Sequence, residues 1–145
     1  MRVAAVDFGK VRVGLAVSDE LGLLAHPRPF LDGTHLGHVF QALIDLSQQE
    51  NVELFLVGLP RLLDGSEGPA ARRARRFAAK LKERTGRRVV MIDEWLSTRE
   101  AQGRLRAAGA DSRQARQRVD SAAAALLLQS WLDRRATPGS DRRHE

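Results

Sequence analysis

Between residues 35 and 92 the hydrophobic spacing changes period three times, and this limits the chain to a layered α/β fold. Leu36, Val39, Phe40, Leu43, Ile44 and Leu46 recur at helical spacing, so a helix is expected from about His35 to Gln49. Val52 to Val57 then runs almost unbroken in apolar residues, as a strand buried on both faces does. Helical spacing returns from about Glu67 to Arg84, where Ala70, Ala74, Phe77, Ala78 and Leu81 make one stripe and Gly86 supplies a C-cap. Arg88 to Ile92 reads as the next strand, ending at Asp93-Glu94. Helices that alternate with strands in this way cover the faces of a sheet with parallel connections.

The first thirty residues add a different unit. Arg2 to Asp7 is a short Val/Ala strand, Phe8-Gly9-Lys10 a turn, and Arg12 to Ser18 alternates through Val13, Leu15 and Val17. An antiparallel hairpin follows from that spacing. Leu21 to Leu31, with Pro27 and Pro29, fits an irregular edge strand closed by Asp32-Gly33. The expected sheet is therefore mixed, of about five strands, with helices on both faces. The segment from Gly58 to Ser66 is expected as a loop with Asp64-Gly65 turn chemistry. Ser97 and Glu100 form a capping box for a third helix that Gly109 ends. Ala110 to Arg118 reads as a polar, basic loop, and a last helix is expected from about Val119 to Arg134. One domain spans residues 1–134, and the remainder from Arg135 reads as a disordered basic tail.

Composition narrows the chemistry. The 145 residues contain no cysteine, which excludes a disulfide framework, a thiolate metal site and a cysteine nucleophile. Asp7 interrupts the N-terminal apolar run too early for a signal peptide, and no stretch reaches the ~18 apolar residues of a membrane span. A soluble, cytoplasmic protein without membrane contact is expected. Net charge is +6, and apart from Lys10, Lys80 and Lys82 its cations are arginines, which suit bidentate phosphate contact. His26, His35, His38 and His144 show no metalloprotease or zinc-finger spacing.

Three acids stand at positions where an α/β sheet gathers ligands. Asp7 ends the first strand, Glu94 ends a later one, and Asp120 opens the last helix. Each has an ordinary reading, as a turn residue or as a helix N-terminal acid. Gathered together without a cation, their charges would repel. A hard divalent ion such as Mg2+ or Mn2+ removes that penalty and takes oxygen ligands. Ala122 to Ala125 would let the last helix approach the sheet closely, although an alanine run also simply favours helix.

Four segments carry a family resemblance in order. They are Val6-Asp7-Phe8-Gly9-Lys10-Val11-Arg12-Val13-Gly14-Leu15, Val57-Gly58-Leu59-Pro60 with Asp64-Gly65-Ser66, Asp93-Glu94 with Leu96-Ser97-Thr98, and Val119-Asp120-Ser121-Ala122-Ala123-Ala124. Together the chain resembles the YqgF family, also called RuvX, over nearly its whole length. The resemblance implies an RNase H-like fold and a metal-dependent nuclease that takes Mg2+ or Mn2+. It also implies Asp7, Glu94 and Asp120 as catalytic metal ligands. The family is associated with maturation of the 5′ end of pre-16S ribosomal RNA, which makes pre-rRNA the expected partner and DNA a second. Lys10, Arg12, Arg72, Arg73, Arg76, Arg113, Arg116 and Arg118 are the expected nucleic-acid contacts. The chain departs from the family pattern at Val11, Arg61-Leu62-Leu63 and Trp95. A fourth acid one turn beyond Asp120, which likeness to RuvC would suggest, is replaced by Ala123. Junction resolution and non-catalytic nucleic-acid binding remain alternatives, and either a monomer or a homodimer is compatible.

Overall fold

The computed structural model describes residues 1–94 and 121–136. Its elements in chain order are β1 (Arg2–Phe8), β2 (Arg12–Ser18), β3 (Ala25–Asp32), α1 (Leu36–Gln49), β4 (Val52–Leu59), α2 (Pro69–Thr85), β5 (Arg88–Asp93) and α3 (Ala122–Ala136). The strands form one sheet in the order β3-β2-β1-β4-β5. β1, β2 and β3 pair antiparallel, whereas β4 pairs parallel with both β1 and β5. This is the mixed five-stranded sheet expected from the sequence. Because β1, β4 and β5 are parallel, their carboxyl ends share one edge, and Asp7, Gly58 and Asp93 all lie there.

Alternation along the strands sorts the core into two layers. One face carries Ala4, Val6, Val13, Leu15, Val17, Phe55 and Val57 under α1 and α2. The other carries Val3, Ala5, Ala16, Leu54 and Leu56 under α3. Helices thus cover both faces. On the first face Phe77 of α2 stacks on Phe8 at 4.3 Å between centroids and on Phe40 of α1 at 5.2 Å. These rings join two helices to the sheet at one point.

Several boundaries differ from the sequence reading. β4 continues through Gly58 and Leu59, which were expected in a loop, because β5 extends the pairing to Leu59. α2 begins at Pro69 rather than Glu67: Gly68 is the N-cap, and proline at the first position needs no amide partner. Glu67 instead pairs with Arg75 through two 2.7 Å bonds. The buried stripe of α2 uses Ala71, and Ala70 is exposed. Leu36, expected on the buried face of α1, is exposed at its first turn. Gly86 does cap α2, with φ 69° and its amide on the Lys82 carbonyl. α3 extends to Ala136, two residues into the expected tail. The Ser97 helix, the basic loop before Val119 and the chain beyond Ala136 lie outside the described residues.

Candidate active site

The acid-bearing end of the sheet follows from strand parity. On β1, Val3 and Ala5 point towards α3, so Asp7 points the same way. On β5, Val90 and Ile92 pack on that face, and Glu94 continues their series just past the strand end. Asp93 has the opposite parity. Its carboxylate accepts a 3.0 Å bond from Arg61 Nε, and Arg61 also lies 3.8 Å from Glu67. Adjacent acids are therefore split between the two faces, one held in an ion pair and the other directed at Asp7.

Two glycines clear the space. Gly14 of β2 pairs directly with Asp7 and is buried. Gly58 of β4 lies between β1 and β5, and a Cβ there would come within 2.9 Å of Glu94 Oε1 and 3.3 Å of its Cγ. Glu94 crosses β4 over this bare backbone to share a side-chain hydrogen bond with Asp7. A glycine inside a buried strand commonly marks such a close approach. That signal, Val57-Gly58-Leu59, is visible in the sequence, although it does not say what approaches.

Electrostatics fit the geometry. Burial pushes the Glu94 carboxyl up to about 7, helped by the charge of Asp7, the hydrogen bond to it, and the charge of Asp93. Two carboxyl groups can share a hydrogen bond only when one keeps its proton. A divalent cation could take that proton's place, and every donor present is a carboxylate oxygen, the ligand type that Mg2+ and Mn2+ prefer. The residues therefore fit such an ion, although among the described residues no third acid or histidine completes a metal-binding group.

Asp120 lies outside the described residues, but its neighbour Ser121 is fully buried. Ser121 Oγ accepts the Leu15 amide at 3.2 Å, one residue from the Gly14 that faces Asp7. Further along α3, buried Gln129 accepts the Ala25 amide at 2.9 Å and donates to the Leu23 carbonyl at 3.0 Å. These two tethers hold α3 on β2 and on the start of β3. Neither was anticipated from the sequence, where Ser121 and Gln129 read only as polar helix positions.

Of the expected nucleic-acid contacts, Lys10 and Arg12 are exposed on the hairpin beside Asp7. Arg72, Arg73 and Arg76 stand on the first turns of α2, which packs on the opposite face of the sheet but starts from the same edge. They do not surround the acids. Arg113, Arg116, Arg118 and Trp95 lie outside the described residues. No helix among the described residues is long and apolar enough to cross a membrane.

Comparison with known proteins agrees with this arrangement. The family model "RuvX: Holliday junction resolvase" matches residues 1–134. A protein of Anaeromyxobacter sp. (strain K) named "Putative pre-16S rRNA nuclease" is 44% identical over 136 residues, covering 94% of this chain and 99% of the relative. A protein of the same name from Maridesulfovibrio salexigens is 37% identical over 134 residues, covering 92% and 99%. Among solved structures, T. thermophilus RuvC in complex with a Holliday junction substrate superposes with TM-score 0.63 at 16% identity, covering 94% of this chain and 98% of that one. The fowlpox virus Holliday junction resolvase gives 0.52 at 9% identity, covering 92% and 99%. These structural likenesses establish the RNase H-like fold. The family match spans the strand ends that carry Asp7 and Glu94, and the chain accordingly belongs to the RuvX family of nucleases, hydrolases of ester bonds.

Proposed function

We propose that this nuclease cuts RNA, with a pre-16S ribosomal RNA precursor as its substrate, at a centre formed by Asp7, Glu94 and Asp120. The observation that carries the reading is the reach of Glu94 across Gly58 to Asp7. No packing advantage explains placing two acids in contact at a half-buried strand edge; a shared cation does. Mg2+ or Mn2+ bound there would activate water and offset charge on the phosphoryl group. Asp7, on the central strand β1 and in contact with Glu94, would be the principal ligand. Glu94 becomes a full anionic ligand as its proton leaves. Asp120 is assigned as the third ligand because the next residue, Ser121, is fixed beside Gly14. Lys10 and Arg12 follow Asp7 on the hairpin and suit phosphates of the strand bound there. The relatives' names support RNA over DNA. Ala123, where a fourth acid would stand, weakens the junction-resolving alternative.

The test is cleavage of labelled single-stranded RNA, single-stranded DNA and branched DNA in Mg2+ and in Mn2+. Asp7→Asn is expected to lower cleavage by about 1,000-fold or more, comparable to removing a main source of transition-state charge stabilisation, while binding is largely kept. Full activity in that variant would overturn the site. Binding without cleavage by the unsubstituted protein, across metals and substrates, would favour a non-catalytic role.

A further inference from the structure

β3 contains one residue more than its partner requires. Leu15 pairs with Arg28 and Val13 with Leu31, so β2 advances two residues while β3 advances three. Such a bulge changes which face the following side chains meet. Before it, Arg28 points towards α1 and pairs with Glu50 at 2.6 Å, while Ala25 packs under α3. After it, Leu31 joins the α1 and α2 core, which turns Phe30 to the opposite face. Regular pairing would have put Phe30 beneath α1.

The bulge therefore delivers an aromatic ring to the acid-bearing face. Arg12 on β2 meets it there, with its guanidinium carbon 5.3 Å from the ring centroid, and Phe30 remains 44% exposed. Gly14, Asp7, Gly58 and Glu94 continue the same face across the next three strands and past the end of β5. Only β2 separates β3 from β1, so Phe30 is about 10 Å from the strand of Asp7 at ordinary strand spacing. The neighbouring turn is seated firmly. The Gly33 amide donates to the Val11 carbonyl at 2.7 Å, and a Cβ on Gly33 would lie 2.9 Å from the Gly9 carbonyl oxygen. The turn that carries Lys10 and leads into Arg12 is thereby fixed against the end of β3.

We propose that Phe30, with Arg12 over its ring, is a stacking platform for an unpaired nucleobase of the strand whose phosphate lies at Asp7 and Glu94. The proposal rests on the nuclease reading of those acids. A partly exposed ring beside Arg12, with exposed Lys10 on the adjoining turn, suits a base together with its phosphates, whereas a neutral peptide would gain nothing from those cations. Bases inside a duplex are already stacked and cannot use the platform. The enzyme would accordingly favour a substrate that is single-stranded next to the cut.

The experiment measures binding in the Asp7→Asn protein by fluorescence anisotropy in EDTA. The probes are labelled single-stranded RNA and DNA, in which one abasic position is stepped along the strand, and a duplex of the same sequence. Phe30→Ala is expected to weaken binding of the intact single strand by about 5- to 100-fold, the range of one lost base stack. Phe30→Leu, which keeps apolar bulk, should lose a similar factor, Phe30→Trp should retain binding, and duplex binding should change little. An abasic position at one point of the strand should weaken the parent protein by the same factor and leave Phe30→Ala unaffected. Equal loss in RNA and DNA marks base recognition without sugar recognition; loss in RNA alone adds the 2′-hydroxyl. Unchanged binding by Phe30→Ala, losses that add to those from the abasic strands, or no single-strand binding at all would each overturn the platform. Cleavage in Mn2+ by the unsubstituted protein reports on the nuclease reading separately. Its absence alongside an intact abasic signature would sink that reading and leave the platform standing.

Discussion

The two faces of this sheet are packed by different rules. Under α1 and α2 the contacts are large and apolar, centred on the stacked rings of Phe8, Phe77 and Phe40. Under α3 the side chains from the sheet include Ala5, Ala16 and Ala25, and α3 itself brings Ala124 and Ala125. Polar groups are buried there too, with Ser121, Gln129 and Ser130 almost inaccessible. The first face obtains its stability from apolar area. The second adds hydrogen-bonded tethers to an apolar layer that includes Leu54, Leu56, Leu128 and Trp131, and leaves Gly14 and Gly58 bare where Glu94 reaches Asp7. One sheet thus has one face closed by stacked rings and another that brings the two candidate site acids together.

The strongest way to break this comparison is to cut into the apolar face. Phe77 is 4% exposed and joins α2 to α1 and β1. Phe77→Ala should cost about 3–5 kcal/mol of folding stability, read from urea denaturation. Cleavage per folded molecule, measured well below the new midpoint, should stay close to that of the parent. A loss of activity in the folded fraction as large as the loss from Asp7→Asn would show that the faces are not separable.

The complementary change adds one methyl to the other face. In Gly58→Ala the new Cβ would sit 2.9 Å from Glu94 Oε1, with Leu127 of α3 at 3.4 Å closing the far side. Glu94 must swing away from Asp7, while the strand pairing of β4 can persist. Cleavage should fall by about 10- to 100-fold, as expected when a catalytic group is displaced by around an ångström. Stability should change less than in Phe77→Ala. Unaltered cleavage in a folded Gly58→Ala protein would mean that Glu94 does not act from its position over Gly58.

Much of this division is legible in the amino-acid order, because period and parity are local properties. The helical stripes of α1 and α2, the apolar run of β4 and the hairpin at the N-terminus all appear from spacing alone. So does the placing of Asp7 and Glu94 at strand ends. What escapes is set by contacts between distant segments. β4 extends through Gly58 because β5 pairs with it, and nothing in Gly58-Leu59-Pro60 reveals that partner. The bulge in β3 depends on register against β2, so Phe30 reads from sequence as one residue of an irregular edge strand. Ser121 and Gln129 satisfy backbone amides more than a hundred positions away. Asp93 and Glu94 read as a doublet, yet the pleat sends them to opposite faces.

The smallest effect is also the one that separates stability from function most sharply, because it predicts a gain. In the metal-free protein the Glu94 carboxyl titrates near 7, whereas in the unfolded chain it titrates near its ordinary value of 4.5. Below that ordinary value both states are protonated and the group contributes no pH dependence. As pH rises towards 7 the unfolded chain loses the proton first, so it binds fewer protons than the folded protein and stability falls. Above 7 the loss is complete. Glu94→Gln removes the titration while an amide can still donate to Asp7. In EDTA the variant should therefore match the parent near pH 4.5 and exceed it at pH 8. The gain should be on the order of 1–2 kcal/mol once solvent screening of a half-buried group is allowed for. Added Mg2+ should shrink the difference, since a bound ion stabilises the parent's folded state. Cleavage should be lost under every condition. Paired urea titrations at the two pH values decide the matter: a stability difference that does not vary with pH would mean that the contact between Asp7 and Glu94 carries no strain, and the acid-bearing face would then be as relaxed as the apolar one.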